Sequence, residues 1–203
     1  MAGEAQFSSL AIRQNHPGSV MPHVRRWLII GVVWLTGGCW VSGVGAAEAS
    51  QASQKERPNI LFIIYDDWGW RHAGAYGCDW VQTPNFDRVA REGIRFDNCF
   101  TSNPKCSPCR ASILTGRNTW QLEEASCHNG IFPAKFAVYP DLLERAGYVV
   151  GVTGKGWGPG DFAAGGFSRN PAGPSFDQFK LKPPTKAMGK TDYVRNFEAF
   201  LQQ

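Results

Sequence analysis

The chain has 203 residues, 43% of them hydrophobic and 19% charged, with a net charge of +4. That composition belongs to globular proteins and excludes a wholly disordered chain. The small cationic surplus, with Arg88, Arg91 and Arg95 interspersed among acids, gives no argument for nucleic acid, and no such partner is expected.

In chain order, residues 1–47 read as an export signal. Arg25-Arg26 precede the short apolar core Trp27–Leu35, and small residues follow to Ala46-Ala47. The apolar run is too short and too glycine-rich for a comfortable membrane span. Residues 1–20 are polar and unusual ahead of such a signal, which makes Met21 an alternative start. A lipoprotein anchor at Cys39 and an uncleaved anchor remain alternatives. An exported protein, periplasmic or secreted and handled by secretion machinery, is expected. Residues 48–57 read as a linker, and the folded part begins at Pro58 and extends through 203.

Asn59–Tyr65 is an unbroken apolar run, the pattern of a strand covered on both faces. Asp66-Asp67 stop it. Thr83 and Pro84 open a helix that runs through Glu92 to Gly93. Ile94-Arg95-Phe96 reads as a short strand. A helix beginning near Cys106 stops near Gly116. Another, Pro140–Ala146, stops at Gly147 and feeds the apolar strand Tyr148–Thr153. Residues 156–190 read as a long loop rich in Gly, Pro and aromatics. Thr191–Gln203 begins a last helix, with Asp192 as its cap. Strands alternating with helices predict an α/β fold.

Adjacent carboxylates at the C-terminal end of a strand lie where open α/β sheets hold ligands. Two such charges side by side are costly unless a cation neutralises them, and hard oxygen donors suit Ca²⁺ or Mg²⁺; an exposed turn that carries two aspartates is the alternative. Cys106-Ser107-Pro108-Cys109-Arg110 places a nucleophile at a helix N-terminus, where unpaired N–H groups and the helix dipole favour anions. The same Cys-x-x-Cys pair fits a thiol–disulfide oxidoreductase. Lys155 follows a strand within Gly154–Gly160, but a phosphate loop fails: Val149 and Gly156 occupy positions that require Gly and Ser or Thr. Trp68, Trp70 and Trp157 suit either a sugar-binding mouth or the core. For Arg117 a charge complementing the helix C-terminus is the preferred role.

Cys106 to Arg110, followed by Leu114-Thr115-Gly116-Arg117, resembles the signature of the type I sulfatases. Asn59–Asp67 resembles their metal-binding segment. Gly154-Lys155 resembles their Gly-Lys-x-His segment, with Trp157 at the histidine position. Asn103-Pro104-Lys105 and Gly154–Gly160 are most similar to the branch that includes heparan N-sulfatase. The resemblance implies the N-terminal portion of an alkaline-phosphatase-like α/β fold, a mostly parallel sheet flanked by helices. It implies that Cys106 is oxidised to formylglycine, whose hydrate is the nucleophile. It implies Ca²⁺, in preference to Mg²⁺, on Asp66, Asp67 and residue 106, with Arg110 and Lys155 as catalytic cations. His128 is the candidate for the missing histidine, ahead of His72. The implied partners are a sulfated sugar or small sulfate ester and a formylglycine-generating or anaerobic maturing enzyme. Members of the family usually run more than twice this length, so a fragment with little activity alone is expected. A non-catalytic exported anion-binding module is the other reading. Cys109 departs from the commoner Ser or Ala of the signature and brings a competing Cys106–Cys109 disulfide into question. Converting Cys106 leaves Cys78, Cys99, Cys109 and Cys127, an even number in the exported part.

Overall fold

The run Tyr148–Gly154 has the β-branched residues of a strand core, and it forms strand β3, with Val150, Gly151, Val152 and Thr153 buried. It belongs to a computed structural model that describes residues 7–14, 57–186 and 188–203. Two further strands accompany it, β1 (Phe7–Gln14) and β2 (Ile60–Tyr65). The helices are α1 (Pro84–Glu92), α2 (Cys106–Thr115), α3 (Tyr139–Arg145) and α4 (Tyr193–Leu201).

The described sheet has the order β2–β1–β3, and β1 is antiparallel to both neighbours. The described strands therefore do not confirm the expected mostly parallel sheet. β2 and β3 run in the same direction, but β1 lies between them and takes the pairing of each. Leu10, Ala11 and Ile12 of β1 are buried. Arg13 ties the strand to the C-terminal end of α4 through the carbonyls of Leu201, at 2.7 Å, and Gln203. This strand falls within the segment read as an export signal. The rest of that segment, with Cys39 and the linker up to residue 56, lies outside the described residues. Among those described, no helix is long and apolar enough to cross a membrane.

β2 also departs from expectation. Rather than being covered on both faces, it is an edge strand of the described sheet, and Ile60, Leu61, Phe62 and Ile63 are 38–51% exposed. Ile94-Arg95-Phe96 forms no strand: among the described residues no strand pairs with it, and Arg95 turns its guanidinium to Asp97 and the Ala75 carbonyl.

The helices follow their local signals. Gly116 ends α2 at φ 67°, a left-handed cap that glycine adopts without a Cβ penalty. The Asp192 side chain accepts the Arg195 N–H at 3.1 Å and caps α4. The core gathers Leu10 and Ile12 of β1, Val150 and Val152 of β3, Ala111 and Leu114 of α2, and Phe132, Val138 and Trp157 from the loops. Gly151 is needed for close approach: a Cβ there would lie 2.6 Å from the rings of Phe176 and Phe200. The net effect is to aim the C-terminal ends of β2 and β3 and the N-terminus of α2 at one place.

Candidate active site

Asp66-Asp67 follow β2 directly. Asp67 has φ 58°, a left-handed conformation that aspartate tolerates better than β-branched residues. The chain reverses there, leaving Asp66 buried and Asp67 exposed. Lys155 follows β3 directly, and its Nζ lies 2.5 Å from Asp66 Oδ2. Cys106 is the first residue of α2, and its sulfur lies 3.9 Å from the same Asp66 oxygen. One turn further, Arg110 is 3% exposed. Its guanidinium donates to Asp66 Oδ1 at 3.3 Å, to the Lys155 carbonyl at 2.5 Å and to the Gly156 carbonyl at 2.9 Å.

One buried carboxylate thus bridges two cations. Burial alone would raise the Asp66 pKa, but hydrogen bonding and charge from Lys155, then Arg110, outweigh it and hold the carboxyl below its ordinary value. Burial would lower Lys155, but hydrogen bonds to Asp66 and Cys106 and their charges hold the ammonium above the usual lysine value.

The Gly156–Gly160 loop clamps the first turn of α2. Trp157 is buried against Phe132, with ring centroids 5.1 Å apart, and its indole N–H donates to the Ser107 carbonyl at 3.0 Å. The Ser107 hydroxyl donates to the Pro159 carbonyl. Asn170 receives the Trp157 N–H at 2.9 Å and donates to the Trp157 carbonyl at 2.8 Å. Trp157 is therefore a core residue that positions the helix rather than part of a mouth. Ser107 and Asn170 share that positioning role, and sequence reasoning missed both. The signal available was a serine behind the first cysteine, which carries no chemistry by itself.

The structure brings together Asp66, Asp67, Cys106, Arg110 and Lys155. It does not bring His128 into contact with them. His128 is exposed on the turn before Gly130, where the neighbouring Asn129 N–H donates to the Pro159 carbonyl at 3.2 Å. His72 is also exposed, with Nδ1 3.0 Å from the Gly69 carbonyl and its ring against Trp80. Arg117 lies at the end of α2 with its guanidinium over Phe136, away from the cluster.

Ligand atoms of Asp66, Asp67 and Cys106 all lie within 4.8 Å of one another. Two carboxylates fit a hard divalent cation in type. They fill only part of the six to eight oxygens that Ca²⁺ takes. Beside Asp66 lies a cleft of ≈ 480 Å³ lined by Tyr65, Trp68, Gln82, Asn85 and Phe86. Tyr65 and Trp68 meet edge to face, with centroids 4.2 Å apart. Trp70 lies outside this cleft and is 62% exposed.

Against known proteins, the sulfatase family profile matches residues 58–195. Human N-acetylgalactosamine-6-sulfatase is 40% identical over 125 residues, covering 56% of this chain and 23% of that protein. The N-acetylglucosamine-6-O-sulfatase of Bacteroides thetaiotaomicron is 42% identical over 108 residues, covering 52% of this chain and 19% of its own length. Canine arylsulfatase G is 34% identical over 171 residues, covering 81% of this chain and 30% of its own. The matched part of the chain thus spans 19–30% of the length of these relatives. None of the three bears an N-sulfatase name. No solved structure matches the chain.

Proposed function

The chain belongs to the sulfatase family, and from that premise we propose that it is the N-terminal part of a sulfuric ester or sulfamate hydrolase whose nucleophile is formylglycine made from Cys106. The observation that carries this reading is the meeting of Asp66, Cys106, Arg110 and Lys155 at the start of α2. As formylglycine hydrate, residue 106 supplies the hydroxyl that attacks sulfur. Asp66, Asp67 and residue 106 would hold a divalent cation, Ca²⁺ in preference to Mg²⁺, which would supply positive charge toward the sulfate.

The remaining roles fall to the chain's own side chains. Lys155 is 19% exposed and is the cation that reaches the substrate sulfate. Arg110 is spent on Asp66 and two carbonyls, so it acts by holding Asp66 and the Lys155 backbone in place. The N–H groups at the start of α2 add fixed positive dipoles that need no reorganisation as charge develops. The aromatic cleft at Tyr65, Trp68 and Phe86 takes the organic part of the substrate, a sulfated sugar or small sulfate ester. Two relatives named for 6-sulfated N-acetylhexosamines support a sugar sulfate. His128 is proposed for the histidine role as a histidine from outside the Gly-Lys-x-His segment, where Trp157 takes the motif position. The partners are a formylglycine-generating or anaerobic maturing enzyme and the secretion machinery, with a periplasmic or secreted location.

The test is co-expression with a formylglycine-generating enzyme, then hydrolysis of 4-nitrophenyl sulfate, glucosamine N-sulfate and N-acetylgalactosamine 6-sulfate with Ca²⁺ present. The partial cation shell predicts weak turnover by the 203-residue chain. Whatever turnover appears is expected to vanish in Cys106→Ala and to fall about 100-fold or more in Lys155→Ala, the scale for loss of one transition-state charge donor. Turnover that survives Cys106→Ala would contradict the reading.

A further inference from the structure

Cys109 is the residue that the sulfatase reading leaves without a task. It sits in the first turn of α2, three residues after Cys106, and its N–H donates to the Lys105 carbonyl at 3.0 Å. Neither cysteine is in a disulfide, and both are partly exposed. Helix geometry puts Cα atoms three residues apart at about 5 Å. That lies within the Cα span of disulfides, and both side chains project from the same helix face. Cys78, Cys99 and Cys127 lie outside α2. Lys155 and the Cys106 sulfur both meet Asp66 Oδ2, at 2.5 and 3.9 Å, and Cys109 is the other thiol carried by α2.

We propose that Cys106 and Cys109 form a reversible disulfide that withholds Cys106 from conversion to formylglycine. This rests on the formylglycine reading and adds a redox control to it. The oxidant is a small-molecule or protein disulfide, R–S–S–R. One cysteine thiolate attacks it, forms a mixed disulfide and releases R–S⁻. The second thiolate then attacks the protein sulfur of that mixed disulfide, closes the Cys106–Cys109 bond and releases the second R–S⁻. Two electrons pass to the oxidant, which ends as two R–SH after taking up the two protons. A dithiol reductant reverses the exchange and frees Cys106. Conversion needs a thiol at position 106, so the closed form cannot mature.

The experiment uses the full chain equilibrated in glutathione buffers from reducing to oxidising. Free thiols are then alkylated and the protein is digested with trypsin. Cleavage after Lys105 and Arg110 isolates residues 106–110 as one peptide. In oxidising buffer this peptide is expected to escape alkylation and to weigh two hydrogens less than the dithiol, with the closed fraction rising tenfold in ratio per about 30 mV. In parallel, conversion by a formylglycine-generating enzyme is measured in the same buffers. Wild type is expected to lose at least about tenfold in conversion on going to the oxidising end, while Cys109→Ser and Cys109→Ala convert equally at both ends. A peptide that stays a dithiol throughout overturns the proposal. So does a wild type that loses no more conversion than Cys109→Ser, although the formylglycine reading then stands. Failure of every variant to convert in reducing buffer overturns the formylglycine reading and the lock with it.

Discussion

Replacing Arg110 with methionine removes the group that joins β2, α2 and the loop after β3. Methionine keeps much of the apolar volume but none of the donors. Asp66 Oδ1 and the carbonyls of Lys155 and Gly156 each lose a partner. The Arg110 and Asp66 side chains are 4% and 10% exposed, so water replaces the lost bonds poorly. Removing one partner of a buried ion pair costs about 3–5 kcal/mol. Asp66 keeps Lys155 at 2.5 Å, which places the expected loss near the lower end, about 3 kcal/mol. In a chain of this size each kcal/mol lowers Tm by about 2–4 °C, so the midpoint is expected to drop by about 6–12 °C. Urea unfolding should give the same free-energy loss with an unchanged m-value. Arg110→Lys, which keeps charge but not the forked geometry, should fall between the two. A methionine variant that melts within about 2 °C of wild type would mean that Arg110 is not a structural clamp.

Gly151→Ala puts a methyl group against Phe176 and Phe200 and should destabilise by about 1–3 kcal/mol in equilibrium unfolding, with a neutral result ruling out the tight ring contact. A chain begun at Met21 lacks β1 and with it the burial of Leu10 and Ile12, worth about 3–6 kcal/mol before the lost strand pairing is counted. It should show a much lower melting midpoint and rapid proteolysis, and identical melting of the two chains would refute the central place of β1. Stability should also fall at alkaline pH. Burial raises the Tyr139 phenol to about 12, and Asp66 and Cys106 raise Lys155, so both contribute fully below their ordinary values and lose that contribution as pH climbs through the folded ones. Asp66 is depressed, so its contribution persists above the ordinary carboxylate range and disappears only as pH falls through the lowered value. Denaturation followed from pH 3 to 12 should therefore show a broad plateau, and a loss of stability beginning near neutrality would count against it.

Much of the local structure was legible because its signals are local. Pro84, Gly116, Gly147 and Asp192 each punctuate a helix by backbone preference or capping, and the observed helices begin or end within a residue or two of them. β1 was not legible. Leu10-Ala11-Ile12 is a short apolar patch in a polar stretch, and only its two neighbours, which lie far along the chain, make it a strand. The same cause misled the reading of β2, whose apolar run suggested cover on both faces while the described sheet leaves its residues exposed.

At the site, residue types and positions pointed to Asp66, Cys106, Arg110 and Lys155. The division of labour between the two cations did not follow from sequence, because Asp66 and Lys155 stand 89 positions apart and burial decides which cation meets solvent. The Trp157 substitution looked like a missing histidine. Its indole instead anchors the helix that carries Cys106.

The proposed chemistry requires a formylglycine at residue 106, at the start of α2 among Asp66, Lys155 and Arg110. Mass spectrometry of the 106–110 peptide, taken from the chain co-expressed with a formylglycine-generating enzyme under reducing conditions, tests it most directly. An aldehyde at residue 106 that reacts with a hydrazide probe is expected, and unmodified cysteine in that peptide refutes the formylglycine proposal.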